Sequence, residues 1–299
     1  MQAKPHIKLL NTVLLPDYPS GSAISYYEGK FYLVGDDARN IAVLDRDYRE
    51  AGTIPLFEHP EKRIPKAQKT DFETAVIVEA QQQAHLLAIG SASRKEREQV
   101  MLVPLEQSGG HPAKFNTGVF TERLRSAGIK EVNIEGGTLA GEQLILANRG
   151  NNTYPENHLI ITGKDYWLRQ EDVPISVLPL TLPSYIDGFL GISELCYDPL
   201  SDTLLFTLSS EATANAYDDG AIGDSYIAWV DHISQQIKQS SIALDALINL
   251  PQADAAFKGE KIEGICIEAA HPNEWLLHLV ADNDKGQSRL FRVQLLRGA

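Results

Sequence analysis

The sequence predicts an all-β fold, a single five-bladed β-propeller, and three observations predict it. Short runs rich in β-branched and aromatic residues, each bounded by Gly, Asn, Asp or Pro, recur along the whole chain with few helical patterns between them. One unit returns five times: a strand, a short turn, a second strand ending in polar residues, then two more strands. The fifth unit is one strand short, while an unassigned strand, Ile7 to Leu15, stands at the N-terminus and can complete it. Such closure protects the free edges of the sheet. A two-sheet sandwich is the alternative, but equivalent units and an orphan strand favour radial repetition over residues 1–299.

The first blade reads Ala23 to Tyr27, Lys30 to Gly35, Asn40 to Asp45 and Ala51 to Leu56, with Glu28-Gly29 as its first turn. The second reads Glu73 to Glu79, His85 to Gly90, Gln99 to Leu105 and Phe115 to Phe120. The third reads Glu135 to Leu139, Gln143 to Ala147, His158 to Thr162 and Ile175 to Leu182. The fourth runs through Glu194 to Tyr197, Thr203 to Leu208, Tyr226 to Val230 and Ile237 to Leu244. The fifth runs through Glu263 to Glu268, Trp275 to Ala281 and Arg289 to Leu295. The repeat starts fall near residues 22, 73, 135, 194 and 263, and two insertions, Thr121 to Ala127 and Leu244 to Leu250, read as helices before the entry to the next blade.

Composition narrows the function. The chain of 299 residues is 43% apolar and 22% charged, enough to bury a core and unlike a disordered segment. A net charge of -13 repels phosphate backbones and attracts cations, so nucleic acid is not an expected partner and a cation site is. No run approaches the roughly 20 apolar residues of a membrane span. Residues Met1 to Asn11 lack the apolar core of a signal peptide, and Cys196 and Cys266 read as core fillers. The expectation is a monomeric cytoplasmic protein without a membrane partner.

Aligning the units puts an acidic residue at the start of the innermost strand in four of them: Glu73, Glu135, Glu194 and Glu263, with Ser22 at the first-blade position. Residues at one level of successive blades converge on the propeller axis. Carboxylates crowded there either rise in pKa or recruit a cation, and hard oxygen ligands from several sides suit calcium. An axial metal on Ser22, Glu73, Glu135, Glu194 and Glu263 is therefore expected, calcium first, with magnesium or sodium as alternatives. Ion pairing is the competing arrangement, since Lys69, Lys130 and Lys261 lie just upstream of three of the glutamates. The lysines keep no common register, however, because Lys261 shares a strand face with Glu263 and Lys130 does not share one with Glu135.

Each second strand ends in a polar cluster: Asp36-Asp37-Ala38-Arg39, Ser91 to Lys95, Asn148 to Asn151, Ser209-Ser210-Glu211 and Asp282 to Lys285. These ends share one rim and should surround one mouth of the channel. Arg39, Arg94, Lys95, Asn148, Arg149, Glu211, Asp282 and Asp284 are the candidate ligand-binding residues, for a small anionic or phosphorylated ligand, and Asp36 or Asp37 the candidate bases. Strand-end turn chemistry alone also favours these residue types. Histidine spacings for zinc, a nucleophile elbow, a phosphate loop and a dinucleotide fingerprint are all missing, so any chemistry would be metal-centred.

The blade-start glutamates, Asp36-Asp37-Ala38-Arg39 and Ile262-Glu263-Gly264-Ile265 resemble the soluble calcium-activated nucleotidases, or apyrases. Asn148-Arg149 and Leu208-Ser209-Ser210-Glu211 extend the likeness, and similar Glu-Gly strand starts occur in phytase-like esterase propellers and in uncharacterised bacterial propeller families. The resemblance implies axial calcium on Ser22, Glu73, Glu135, Glu194 and Glu263, with phosphate contact by Arg149 and Lys95. Two functions follow as expectations: a calcium-dependent phosphohydrolase acting on a nucleotide or other phosphoester, or a noncatalytic binding propeller with a structural metal.

Overall fold

A computed structural model of the chain describes residues 4–105, 111–183, 189–211, 222–282 and 286–298. Strand β1 (His6–Leu15) precedes the first blade, β2 (Gly21–Tyr27), β3 (Lys30–Gly35), β4 (Asn40–Leu44) and β5 (Glu50–Pro55). The second is β6 (Phe72–Ala80), β7 (Gln83–Gly90), β8 (Gln99–Pro104) and β9 (Ala113–Asn116). Helix α1 (Gly118–Ser126) leads to the third, β10 (Ile134–Ala140), β11 (Gln143–Asn148), β12 (Asn157–Gly163) and β13 (Ile175–Thr181). The fourth begins with β14 (Gly191–Asp198), β15 (Thr203–Glu211) and β16 (Ile222–Val230). After the short α2 (Ile233–Gln236), β17 (Ile242–Ala243) joins the outer edge of blade three, and β18 (Ala246–Asn249) completes blade four. A single turn, α3 (Leu250–Ala253), precedes β19 (Lys261–His271), β20 (Glu274–Asp282) and β21 (Ser288–Leu296), and β1 pairs antiparallel with β21 to complete the fifth sheet.

The sheets are held face to face by apolar packing. Each of five clusters fills one gap between neighbouring blades, for example Ile145, Leu159, Leu204 and Phe206 between the third and fourth. Because both faces of a blade are covered, inner strands lose the alternation of a half-wet sheet: Leu144, Ile145, Leu146 and Ala147 of β11 are all fully buried. Each such large side chain contributes about 1.5–3 kcal/mol by leaving water. The turn between β2 and β3 holds Glu28 and Gly29 at φ of 47° and 79°, the positive pair that a tight hairpin matching strand twist requires.

Three element assignments made from sequence need correction. Phe115 to Phe120 does not continue as strand: β9 stops at Asn116, and Phe120 and Leu124, four residues apart, turn one face of α1 into the core, with Phe120 against the Tyr166 ring at 4.5 Å. Ile237 to Leu244 is not the fourth strand of blade four, and Leu244 to Leu250 is not a helix. Ile242 is fully buried, and β17 pairs parallel with Leu180 and Thr181 of the neighbouring blade. The blade is completed instead by Ala246 to Asn249 against β16, and helix starts only at Leu250, where the Asn249 side chain accepts from the Gln252 N–H at 2.9 Å. No helix among the described residues is long and apolar enough to cross a membrane.

Candidate metal and ligand site at the channel mouth

The five innermost strands β2, β6, β10, β14 and β19 line the axis, and each carries a bulge near its start. Pairing slips by one residue between Gly21 and Ala23, Phe72 and Thr74, Ile134 and Gly136, Ile192 and Glu194, and Ile262 and Gly264. The extra residues are Ser22, Glu73, Glu135, Ser193 and Glu263. A bulge frees a residue from the ladder and re-aims its side chain, a common device beside functional sites. In blade four the equivalent of the glutamates is therefore Ser193. Glu194 sits one residue further along and belongs to a different level of the channel.

Two more levels follow from the same register. Two residues before the bulges stand Ser20, Asp71, Asn133, Gly191 and Lys261, and opposite them, at the ends of the second strands, stand Asp36, Ser91, Arg149, Ser209 and Asp282. Backbone rungs extend the hairpins to this height, from Asp36 N to Ser20 O (3.1 Å), Ser91 N to Asp71 O (2.9 Å) and Arg149 N to Asn133 O (2.9 Å). Ser20 and Asp71 hold positive φ, at 45° and 59°, a conformation uncommon outside glycine.

The mouth is acidic and only partly neutralised. Lys69, on the segment leading into β6, bridges Asp36 and Asp71, the latter at 2.8 Å. Arg97 binds the other Asp71 oxygen at 2.5 Å and Ser91 donates to it at 2.6 Å. Burial works to raise the Asp71 pKa, but Lys69 and Arg97 outweigh it and hold the carboxylate below its usual range. Lys261 pairs with Glu263 Oε1 at 2.7 Å and leaves Oε2 buried without a donor. Asn133 donates to Glu135 Oε1 at 2.6 Å, while Arg149 stands 4.0 Å from its Oε2.

Arg149 reaches across to blade four, donating to Ser193 Oγ (3.2 Å) and Ser209 Oγ (3.1 Å). Gly191 makes this possible, because a Cβ there would lie 2.4 Å from the Arg149 Nε. Glu73 receives no hydrogen bond from any described residue. Its pKa is raised well above the ordinary value by burial, then by Asp71, Glu135 and Asp36. Burial likewise pushes Asp36 up to about 7 against the pull of Lys69. It does the same for Glu135, to about 7, opposed by Arg149 and reinforced by Glu263. Oxygens of Asp36, Asp71 and Glu73 lie within 4.8 Å of one another, and Asp36 Oδ1 is buried without a donor. The uncommitted groups are hard oxygens, the donor set that calcium and magnesium take.

Of the residues expected from sequence, Asp36, Glu73, Glu135, Glu263 and Arg149 come together at the mouth, with Asp282 opposite Lys261. Ser22 shares the bulge level, but its hydroxyl is given to the Phe72 carbonyl at 2.5 Å and ties blade one to blade two. Asn148 is a scaffold residue whose Oδ1 accepts from Asn133 N at 2.8 Å. Asp37 turns to Arg63 at 2.7 Å, and Arg39 is exposed and donates to the His59 carbonyl. Arg94 and Lys95 are exposed around a 3-10 turn. The Glu211 side chain and Asp284 lie outside the described residues. Sequence reasoning missed Asp71 and Arg97 as members of the site, whereas Lys69 and Lys261 were expected as pairing partners of the glutamates, and Lys261 does pair with Glu263. Period-two spacing from Glu73 was the signal for Asp71, and nothing local marked Arg97.

Glu194 is 2% exposed, and its Oε1 accepts from Thr74 Oγ1 (2.8 Å), Gly137 N (2.8 Å) and Leu195 N (2.9 Å). Its side chain thus spans from blade four to blades two and three. The level it occupies is otherwise made of Ala23, Thr74, Gly136 and Gly264, whose small size leaves room for the crossing. Burial raises its pKa well above the ordinary value in spite of the three donors.

These features define a five-bladed propeller with an acidic axial mouth. The chain belongs to the family of unknown function DUF6929, whose model matches residues 17–295. No curated protein matches it in sequence. In fold it is similar to the glutaminyl cyclase of Myxococcus xanthus, with a TM-score of 0.56 and 9% identity over 100% of both chains. It is also similar to the tail fiber of Staphylococcus aureus phage P68, with a TM-score of 0.53 and 10% identity over 98% of this chain and 53% of that one. Likeness at this identity concerns the fold alone.

Proposed function

We propose that the protein is a ligand-binding propeller whose mouth takes a divalent cation, calcium first, on Glu73 and Asp36 with Glu135 beside them. The observation that carries this reading is the meeting of the Asp36, Asp71 and Glu73 carboxylates, with oxygens within 4.8 Å of one another and Asp36 Oδ1 buried without a donor. Crowded buried carboxylates lower their energy by holding protons or by gathering a cation. A phosphohydrolase built on the same metal would need a free basic group for the phosphoryl oxygens. Arg149 is tied to Ser193 and Ser209, and Lys69 to Asp36 and Asp71, so the binding form is preferred.

Calorimetric titration of calcium, magnesium and sodium into metal-stripped protein tests the reading. Calcium should bind, and Glu73→Gln should weaken it by about tenfold or more. Absence of calcium binding to the unaltered protein would remove the metal from the mouth. Calcium-dependent phosphate release from nucleoside di- and triphosphates would overturn the preference for binding over hydrolysis.

A further inference from the structure

Below the Glu194 level the channel is walled largely by polar main chain. A cavity of about 260 Å3 begins at Glu194 and is lined by the residues two, three and four beyond each bulge, Ser25 and Thr138 among them. An innermost strand has no neighbour on its axial side, so every second residue turns its N–H and C=O toward the channel with nothing in the ladder to pair them. Bonds that leave the sheets show which residues these are. Gly137 and Leu195, two beyond the bulge, donate their N–H groups to Glu194 Oε1 at 2.8 and 2.9 Å, and Ala75, at the same level, accepts from the Ser25 hydroxyl at 2.6 Å. Tyr197, four beyond, donates its N–H to Thr138 Oγ1 at 3.2 Å. The N–H and C=O of one strand residue point the same way, so the Gly137 and Leu195 carbonyls also face the axis, and the shared register adds those of Ile24 and Ile265. A ring of carbonyl oxygens therefore stands directly under Glu194, and a second ring, from Tyr26, Ile77, Leu139, Tyr197 and Ile267, stands below it.

Glu194 carries the single carboxylate of this lining, and no lysine, arginine or histidine joins it there. Its Oε1 takes three hydrogen bonds, and Oε2 takes none from a described residue. A carboxylate buried without a counter-ion is costly. One negative charge set over neutral carbonyl oxygens is a donor set for a monovalent ion, because rings of carbonyls replace the hydration shell of an alkali cation, whereas calcium sites draw on several carboxylates. We propose that the lower channel is a binding site for a monovalent alkali cation, sodium or potassium, held by Glu194 Oε2 and the axial carbonyls of Ile24, Gly137, Leu195 and Ile265. The cavity has room for the ion and several waters at about 30 Å3 each, so a carbonyl that the ion does not touch is reached through water. The site is separate from the acidic mouth and does not depend on a metal there.

Thermal melts of metal-stripped protein in sodium, potassium or tetraethylammonium chloride at one ionic strength test the site, with thallium(I) as an NMR-visible probe. Sodium or potassium should raise the melting temperature by about 3 °C or more over tetraethylammonium, which is too bulky to seat among the carbonyls, and thallium should give a saturable bound signal. Glu194→Gln, which keeps an acceptor for the three donors, should lose the shift and weaken thallium binding by about tenfold or more. Ile77→Lys, which carries a tethered ammonium group into the same space, should also remove the shift, and Glu73→Gln should lose calcium yet keep both readouts. Equal melting in the three salts, the result for a channel that holds water alone, would overturn the site, as would an undiminished shift in Glu194→Gln or Ile77→Lys. Loss of the shift in Glu73→Gln would move the ion to the mouth and overturn the lower site as well. If Glu194→Gln does not fold, the salt comparison in the unaltered protein and in Glu73→Gln still decides.

Discussion

The two halves of the axial channel are built from the same five strands in the same register, yet they are stabilised by different physics. Above Glu194, side chains from every blade meet as carboxylates, lysines, an arginine and serines, and their positions are set by ion pairs and hydrogen bonds. Below it, four residues beyond the bulges, the corresponding positions are Tyr26, Ile77, Leu139, Tyr197 and Ile267. The repeat thus specifies where side chains converge, and residue choice at each level decides whether convergence makes a charged site or a ring of aromatic and aliphatic side chains. One residue, Glu194, separates the two because its level is otherwise filled by Ala, Thr and Gly.

That contrast can be broken experimentally, beginning with the largest effect. Arg97→Ala leaves buried Asp71 with only Lys69 as a basic partner in the upper half, and should cost about 3–5 kcal/mol of unfolding free energy in urea titrations. The cost should shrink in acid, where Asp71 takes up a proton. Leu195→Ala, one residue beyond Glu194 and 2% exposed, should cost about 2–5 kcal/mol with no such dependence on pH. A pH-independent Arg97 effect would show that the upper half is held by packing after all.

A subtler test uses Glu135. Its pKa of about 7 in the folded protein stands above the ordinary 4.5, so the folded state binds this proton more tightly than the unfolded state does. Its contribution is present below pH 4.5, is lost as the pH rises through the range to about 7, and is constant above that. In metal-free protein, Glu135→Gln should flatten the decline in stability across this range by about 1 kcal/mol or more, measured by melts at a series of pH values. The smallest effect is expected from Lys95→Ala, on an exposed turn, which should stay within about 0.5 kcal/mol.

Much of the fold was legible because hairpins leave local marks. The Lys30 to Gly35 strand was located to the residue, and the orphan strand at Ile7 pointed to ring closure. The site was legible only in part, since a bulge is a property of pairing between strands and leaves no trace in one of them. Ser193-Glu194 offered an acid next to the correct position, and alignment by residue type chose the acid. The same limit hid Arg97, whose place beside Asp71 depends on how a 3-10 turn folds back. The edge strand β17 was lost for another reason: two residues joining a neighbouring sheet have no periodicity to read.

The pairing of β1 with β21 carries a consequence for biosynthesis. The strand that seals the circle is made before the other strands of the propeller, and its mate is made after them. Until then the propeller is an open fan with two unsatisfied edges, one on blade one and one on the growing end, exposed to wrong partners while the blades between them are made. A chaperone that shields extended segments would therefore act on this protein chiefly at the seam, and a slow final step in its maturation should map to that junction.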